Sequence, residues 1–510
     1  MNLISLYLLV FSPLIAAITI ICPWFPNHEV AIRRFAKTFS GILFLYSLLL
    51  LVCFNPSFTG YQLVQEHSWI KPLGINLSLG IDGISAVLVV LTTFLVFLAL
   101  IASKSSITKK HKLYYSLIMV LTTAILGVFT AKDLFLFFLF WELELIPMYL
   151  LISIWGSGRK DYSATKFVLY TFLGSIFMLA SILALYYYNY VQTGILTFDI
   201  QVLALHQGYS YPNLFELLVF AGFFISFAVK LPVVPLHTWL PDAHVDAPTP
   251  VSMLLAGILL KMGGYGLIRM NLGILPEATK LLAPILILLG VINIIYAAFV
   301  ALAQTDLKKL VAYSSVSHMG IVLLGLGALN LAGLTGAIFQ MVAHGVISAG
   351  LFMMVGVIYL RTHTRTISNL GGLGHTAPRL FYFSMIIALA SLGLPLLAGF
   401  AAESLTFYGS FISNSFDNLE SLSINIPCSI QLLTIIAASG IILSAAYLLW
   451  MLQRVFFGTI FEKWNKIKDL SPHEVVVLAS LTLAIVIFGV YPSGLTDYFI
   501  QTANILIRNI

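Results

Sequence analysis

The sequence predicts an all-α polytopic membrane protein of about fourteen transmembrane helices. Three observations carry that prediction. Of 510 residues, 60% are hydrophobic and only 9% charged, with a mean hydropathy of +1.00, whereas a soluble domain has about a quarter charged. Apolar runs of about 20 residues, enough to cross a hydrocarbon core of about 30 Å, recur from the first residues to residue 491. Basic residues gather in alternate connections between those runs.

Taken in order, the first run (about 2–22) has no basic leader and an apolar part too long for a signal peptide, so it reads as an uncleaved helix. The second (36–55) precedes a polar stretch, 56–81, whose HSWIKPLGINLSLGIDGIS alternates enough to predict a small hairpin on the outer face. Runs at 82–103, 113–130, 133–154 and 164–188 follow, then a polar connection at 189–212. The run 213–235 is interrupted at FAVKLPVVPLH, where Pro232 and Pro235 remove donors and free the carbonyls upstream. Four further runs lie at 249–270, 279–302, 306–327 and 332–360. The run 379–411 is broken at SLGLPLLAGFAAES, where Pro395 lies between Gly393 and Gly399, and 430–453 and 473–491 complete the series. Broken helices at corresponding places in two halves suggest inverted repeats, with ion sites at the unwound backbone. The expectation is one membrane domain over 1–510, with repeats over about 113–270 and 279–453.

Charge gives the orientation. One side carries Arg33, Arg34 and Lys37; Lys104, Lys109, Lys110 and Lys112; Arg159, Lys160 and Lys166; Lys308 and Lys309; Arg361, Arg365 and Arg379; and Arg454, Lys463, Lys466 and Lys468. The other carries only Lys71, Lys132, Arg269, Lys280 and Arg508. The positive-inside rule then puts both termini outside, on the lumenal or periplasmic side. Topology thus accounts for the net charge of +6 without a nucleic-acid partner. Cys22, Cys53 and Cys428 are far apart with no CxxC, which excludes a Cys-ligated iron–sulfur cluster or zinc ribbon within the chain.

Six ionisable residues lie inside the apolar runs: Glu142, Lys230, Lys261, His318, His344 and Glu403. A charge at bilayer depth costs roughly 2.5–3.5 kcal/mol on insertion scales, so such residues mark an ion or proton path by default. Glu142 and Glu144, in WELELIP, project about 200° apart on a helix, so one faces the path and the other a partner helix or an aqueous edge. Position alone leaves open which is which. Lys261 stands among Gly257, Gly263, Gly264 and Gly266, which permit close packing and water entry. A buried lysine whose carboxylate partner can approach or withdraw is a switchable proton carrier; the competing reading is a static Lys–Glu packing pair. His318 shares a face with Ser314 and lies near Ser317, and His344 aligns with Gln340 and Ser348, as polar stripes that could relay protons. Alone, each histidine reads equally well as a packing residue.

His237, Asp242 and His244, in HTWLPDAHVDAP, fit no strong metal spacing and read as a structural loop. No phosphate-binding loop, dinucleotide fingerprint or nucleophile–base signature occurs, so no cofactor and no metal is expected in this chain.

The runs WELELIPMYLLISIWGSGRKDYSATKFVLYT, FAVKLPVVPLHTWLPDAHVDAPTPVSMLLAGILLKMGGYGLIR and DLKKLVAYSSVSHMG resemble the antiporter-like, proton-translocating membrane subunits of complex I. The resemblance is densest over about 130–350 and points to the chain 4 family in its cyanobacterial and plastid branch. It implies fourteen helices in two inverted five-helix repeats, each with a broken helix. It also implies site roles: Glu142, directly after Trp141, as the pathway acid in preference to Glu144; Lys230 as the broken-helix lysine; Lys261 as the central lysine; His318 and His344 as the relay; and Glu403 at the exit. Two departures stand out. Leu396 follows Pro395 where relatives have Gly, and Asp246 replaces the usual Glu.

The resemblance implies a membrane-arm subunit of a proton-translocating NAD(P)H- or ferredoxin-dependent quinone oxidoreductase, with the redox chemistry in other subunits. Its implied partners are the other membrane-arm and peripheral-arm subunits and the lipid bilayer. The implied location is a cyanobacterial or plastid thylakoid membrane, or else a bacterial plasma membrane. Two rivals share the fold: a subunit of a multi-subunit cation/proton antiporter, and a structural spacer without a working path.

Overall fold

A computed structural model describes residues 5–205, 211–416, 429–459 and 461–510, so Cys428 lies outside the described residues. The chain is an integral multi-pass membrane protein built almost entirely of helices: α1 (Leu6–Ile21), α2 (Glu29–Cys53), α3 (Gly83–Ser106), α4 (His111–Thr130), α5 (Leu134–Leu143), α6 (Leu145–Trp155), α7 (Lys160–Thr193), α8 (Ile200–Ala204), α9 (Asn213–Lys230), α10 (Trp239–Asp246), α11 (Thr249–Leu272), α12 (Pro276–Leu302), α13 (Leu307–Gly327), α14 (Leu331–Thr362), α15 (Leu373–Thr376), α16 (Pro378–Ser391), α17 (Ala398–Phe411), α18 (Ile430–Phe456), α19 (Pro472–Val490) and α20 (Ser493–Arg508). Among the described residues twelve helical spans are long and apolar enough to cross a bilayer, with α5 and α6 counted as one; α1 and α16 are shorter apolar helices.

Polar residues placed just before apolar runs start several of these helices. Asp82, Asp133 and Asp306 each accept hydrogen bonds from two backbone N–H groups of the first turn of α3, α5 and α13. That satisfies donors which lipid could not. Between α2 and α3 the expected hairpin forms: β1 (Gln62–Ile70) pairs antiparallel with β2 (Ile75–Ile81). Gly74 turns it at φ +68°, and a side chain there would collide with the Leu196 carbonyl.

Helices α11 and α14 are buried along the whole of their apolar windows, and α13 along 94% of its window, whereas α2 and α19 are buried along only 28% and 33%. The polar residues discussed below lie on or against the three central helices. Helix α11 departs from regular α geometry in π-turns at Leu255–Leu259 and Leu267–Leu272, on either side of Lys261. Such bulges reposition side chains and recur at functional sites.

Both expected breaks are present. After α9 the chain leaves the helix at Leu231–Thr238 and resumes in α10; after α16 it is irregular over residues 392–397 before α17. Two sequence expectations need correction. Arg269, counted by charge among the loops and ends of the sparsely basic side, lies buried inside α11 and pairs with the buried Asp82 at the start of α3. Helix α20 was not anticipated, because half its face is polar. It packs against α3 and α14, and the Gly83 N–H donates to the Thr502 hydroxyl.

Candidate functional site: a buried polar line

The first break exposes Lys230 at the end of α9 to the interior. Its ammonium lies against the Glu144 carboxylate, both residues being essentially inaccessible. The rings of Trp141 and Phe167 stand 5.2 and 5.4 Å from its Nζ. The break is held together by residues the sequence reading missed. The Asn293 side chain, from α12, accepts from the Val234 N–H at 2.7 Å and donates to the Pro232 carbonyl at 3.2 Å. The Trp239 indole donates to the Val229 carbonyl at 2.9 Å. Where the chain leaves the helix its carbonyls lose their intrahelical donors, and these two side chains take up two of them.

Both glutamates bear on Lys230, in different ways. The pair does diverge around its helix, as the spacing required, but Glu144 is the carboxylate in contact with Lys230. Glu142 is half-buried, beside the Ser175 hydroxyl, and acts on Lys230 only through a longer electrostatic interaction.

From α9 to α11 the packing is apolar and close. A side chain at Gly263 would meet the Leu231 backbone nitrogen and the Phe227 carbonyl below 3 Å, so only glycine allows this approach. Lys261 is fully buried; its Nζ donates to the Ala256 carbonyl at 2.5 Å and lies 2.7 Å from Nδ1 of His344. The His344 and His318 rings are 5.6 Å apart between centroids. Nε2 of His318 is 3.2 Å from the Ser391 hydroxyl, while its Nδ1 is 3.4 Å from the Gln340 amide and 3.6 Å from Oε1 of Glu403.

Lys261, His344, His318 and Glu403 thus stand in series across α11, α14, α13 and α17, with the two imidazole rings adjacent. The expected hydroxyl stripes contribute less than their spacing suggested. Ser314, Ser317 and Ser348 donate to backbone carbonyls, and it is Ser391 that touches a relay histidine. At the second break Gly393 has φ +80°, and a side chain there would strike the Glu403 carboxylate. Leu396, the residue that departs from the usual glycine, also sits in the left-handed region at φ +71°.

The HTWLPDAHVDAP residues do not converge on one point. His237 faces the rings of Tyr296 and Tyr313, and Asp242 pairs with Lys166 at 2.7 Å. His244 is fully buried and stacked on Phe352 at 4.4 Å, and among the described residues neither ring nitrogen has a hydrogen-bond partner. It lies within electrostatic reach of Lys308 and Lys261. Beside it a cleft of about 120 Å³ is lined by Asp246, Lys308 and Arg365. Among the described residues no group of three or more His, Cys, Asp or Glu is placed to hold a metal ion.

Comparison with known proteins agrees with this architecture. Residues 131–425 match the family model for the transmembrane domain of NADH:quinone oxidoreductase and Mrp antiporters, and residues 12–128 match the amino terminus of NADH-ubiquinone oxidoreductase chain 4. NAD(P)H-quinone oxidoreductase chain 4 of Acaryochloris marina is 44% identical, over 96% of this chain and 90% of that protein. A chain 4 protein of Picosynechococcus is 45% identical, over 97% and 90%. The fold overlays a chain of respiratory complex I from Thermus thermophilus with a TM-score of 0.85 at 28% identity, covering 99% of this chain and 100% of that one. A chain of the Mrp complex from Dietzia overlays with a TM-score of 0.83 at 19% identity, covering 98% and 97%, which is a likeness of fold alone. With both family models matched in succession and relatives of this identity along nearly its whole length, the chain belongs to the NAD(P)H-quinone oxidoreductase chain 4 family.

Proposed function

We propose that this chain is a proton-translocating membrane-arm subunit of an NAD(P)H- or ferredoxin-dependent quinone oxidoreductase, moving protons in response to redox events in other subunits. The observation that carries the reading is the series Lys261–His344–His318–Glu403 inside otherwise apolar helices, with the Lys230–Glu144 pair nearby. While Glu144 lies against Lys230 the ammonium has its counter-charge. When the carboxylate moves away or is neutralised, a buried ammonium without a partner gives up its proton. Glu142, at the half-buried edge of the same helix pair, biases that step from a distance. Lys261 then exchanges with Nδ1 of His344. His344 and His318 relay through their two ring nitrogens, and Glu403 receives the proton at the second break. No redox centre or cofactor is assigned to this chain, because its donors form a proton line and not a ligand set.

The same reading takes 1–510 as one membrane domain whose halves, about 113–270 and 279–453, are inverted repeats with one broken helix each. The count of fourteen follows if α1 and the α16–α17 pair cross as well. The cyanobacterial relatives support a thylakoid location, and the charge asymmetry supports termini on the lumenal side. Partners would be the neighbouring membrane-arm subunits and a redox arm.

The rival reading, a subunit of a self-standing cation/proton antiporter, shares the fold, but the Mrp likeness lies below the identity of the quinone oxidoreductase relatives. Sodium flux without an electron donor would favour it. The direct test uses sealed vesicles containing the assembled complex with Lys230→Ala or Lys261→Ala. Quinone reduction should continue while protons moved per electron fall; an unchanged proton yield in both variants overturns the proposal.

A further inference from the structure

Helices α2 and α3 pack side by side, and α19 lies along the same edge, leaving a groove open to the outside. One end of the groove is a cavity of about 200 Å³ bordered by Arg33, Arg34, Lys37 and Lys104, with His473 at the start of α19. Arg33 is paired with Glu29 at 2.9 Å, whereas among the described residues Arg34, Lys37 and Lys104 form no ion pair. Further along the same helices lies a second cavity of about 370 Å³, lined by Phe44, Leu48, Leu51 and Phe94 and by Leu483 and Ile487 of α19. Its polar lining is slight. Leu48, Leu483 and Ile487 are 36%, 60% and 49% exposed, so nothing among the described residues covers them.

The two cavities belong to one track. Residues 30, 34, 37, 44, 48 and 51 of α2 recur at intervals of three, four and seven, which places them on one helical stripe. Residues 87, 90, 94, 101 and 104 do the same on α3. Between the cavities Gly41 lies against Phe97, and Phe44 stacks on Phe97 and packs tilted against Phe94, so the apolar surface is continuous. From Lys37 to Leu51 the track runs about 21 Å at 1.5 Å per residue. That exceeds the roughly 15 Å of one leaflet of a 30 Å hydrocarbon core.

We propose that this groove is a binding site for an anionic glycerolipid, its negative headgroup held by Arg34, Lys37 and Lys104 and its acyl chains laid along Phe44, Leu48 and Leu51. A basic edge alone would follow from the positive-inside rule. A basic edge leading into an apolar track long enough for an acyl chain of one leaflet matches both halves of one lipid. The site shares no residue with the proton line.

The test uses the purified, assembled complex in neutral detergent. Wild type should retain anionic lipid through size exclusion, and phosphatidylglycerol micelles should raise its melting temperature, while phosphatidylcholine micelles and inorganic phosphate should not. The variant Arg34→Gln/Lys37→Gln/Lys104→Gln should retain at least tenfold less of that lipid and lose the phosphatidylglycerol response. Leu48→Trp, which fills the track and leaves the basic edge intact, should lose it too. Equal retention and equal stabilisation in all three proteins overturn the proposal. So does a phosphate response equal to that of phosphatidylglycerol, or a cryo-EM map showing a protein helix in the groove.

Discussion

At the first break Lys230 ends the helix that precedes the gap and lies against Glu144, so the buried charge is matched on the spot. At the second, Glu403 stands in the helix that follows the gap, and among the described residues its only ion-pair neighbour is His318 at 3.6 Å. The backbone is treated just as differently. Asn293 and Trp239 reach into the first gap and take up its free groups, while the second relies on left-handed residues at Gly393 and Leu396. The difference assigns tasks. A matched pair in a braced gap can hold a charge until something outside disturbs it. A lone carboxyl in a gap made of turns, next to an imidazole, suits taking a proton from one side and releasing it on the other.

Substitutions should expose that contrast, most strongly at Lys230. Lys230→Ala leaves Glu144 buried without a counter-charge, which costs about 3–5 kcal/mol, and should both lower the melting temperature of the complex and remove proton transfer. Changing both partners, as Lys230→Met with Glu144→Leu, should recover most of the stability and none of the pumping. Thermal unfolding and vesicle acidification, measured on the same preparations, separate the two effects.

Glu403→Gln sharpens the other side of the comparison. No cation is left stranded, so the melting temperature should stay close to wild type while proton yield falls as far as in Lys230→Ala. A large loss of stability here would make Glu403 a structural ion pair. Asn293→Ala strips two backbone groups of their partner and should cost about 1–3 kcal/mol, with pumping reduced in proportion to the disturbed position of Lys230. The smallest effect is expected for Leu396→Gly. A leucine in the left-handed region costs roughly 1–2 kcal/mol, so the glycine should raise the melting temperature slightly without altering proton yield.

Much of this was legible in the sequence because lipid imposes simple rules: long apolar runs, basic residues on one side, and prolines where helices break. The hairpin and both gaps fell where alternation and prolines placed them. Helix α20 escaped because it is amphipathic, and the burial of Arg269 was not foreseen because its partner, Asp82, is 187 residues away in the chain. The two glutamates show the limit most clearly. Spacing could say that they diverge, but only the position of α9 decides which one meets Lys230. Asn293 carried no signal at all, since a lone asparagine in an apolar run gives no hint that it faces a broken backbone.

The most direct test of the account compares Glu144→Gln with Glu142→Gln in sealed vesicles, following quinone reduction and proton transfer together. The account predicts that electron transfer persists in both and that the Glu144 variant loses the larger part of the proton yield. Full proton yield in Glu144→Gln would contradict it.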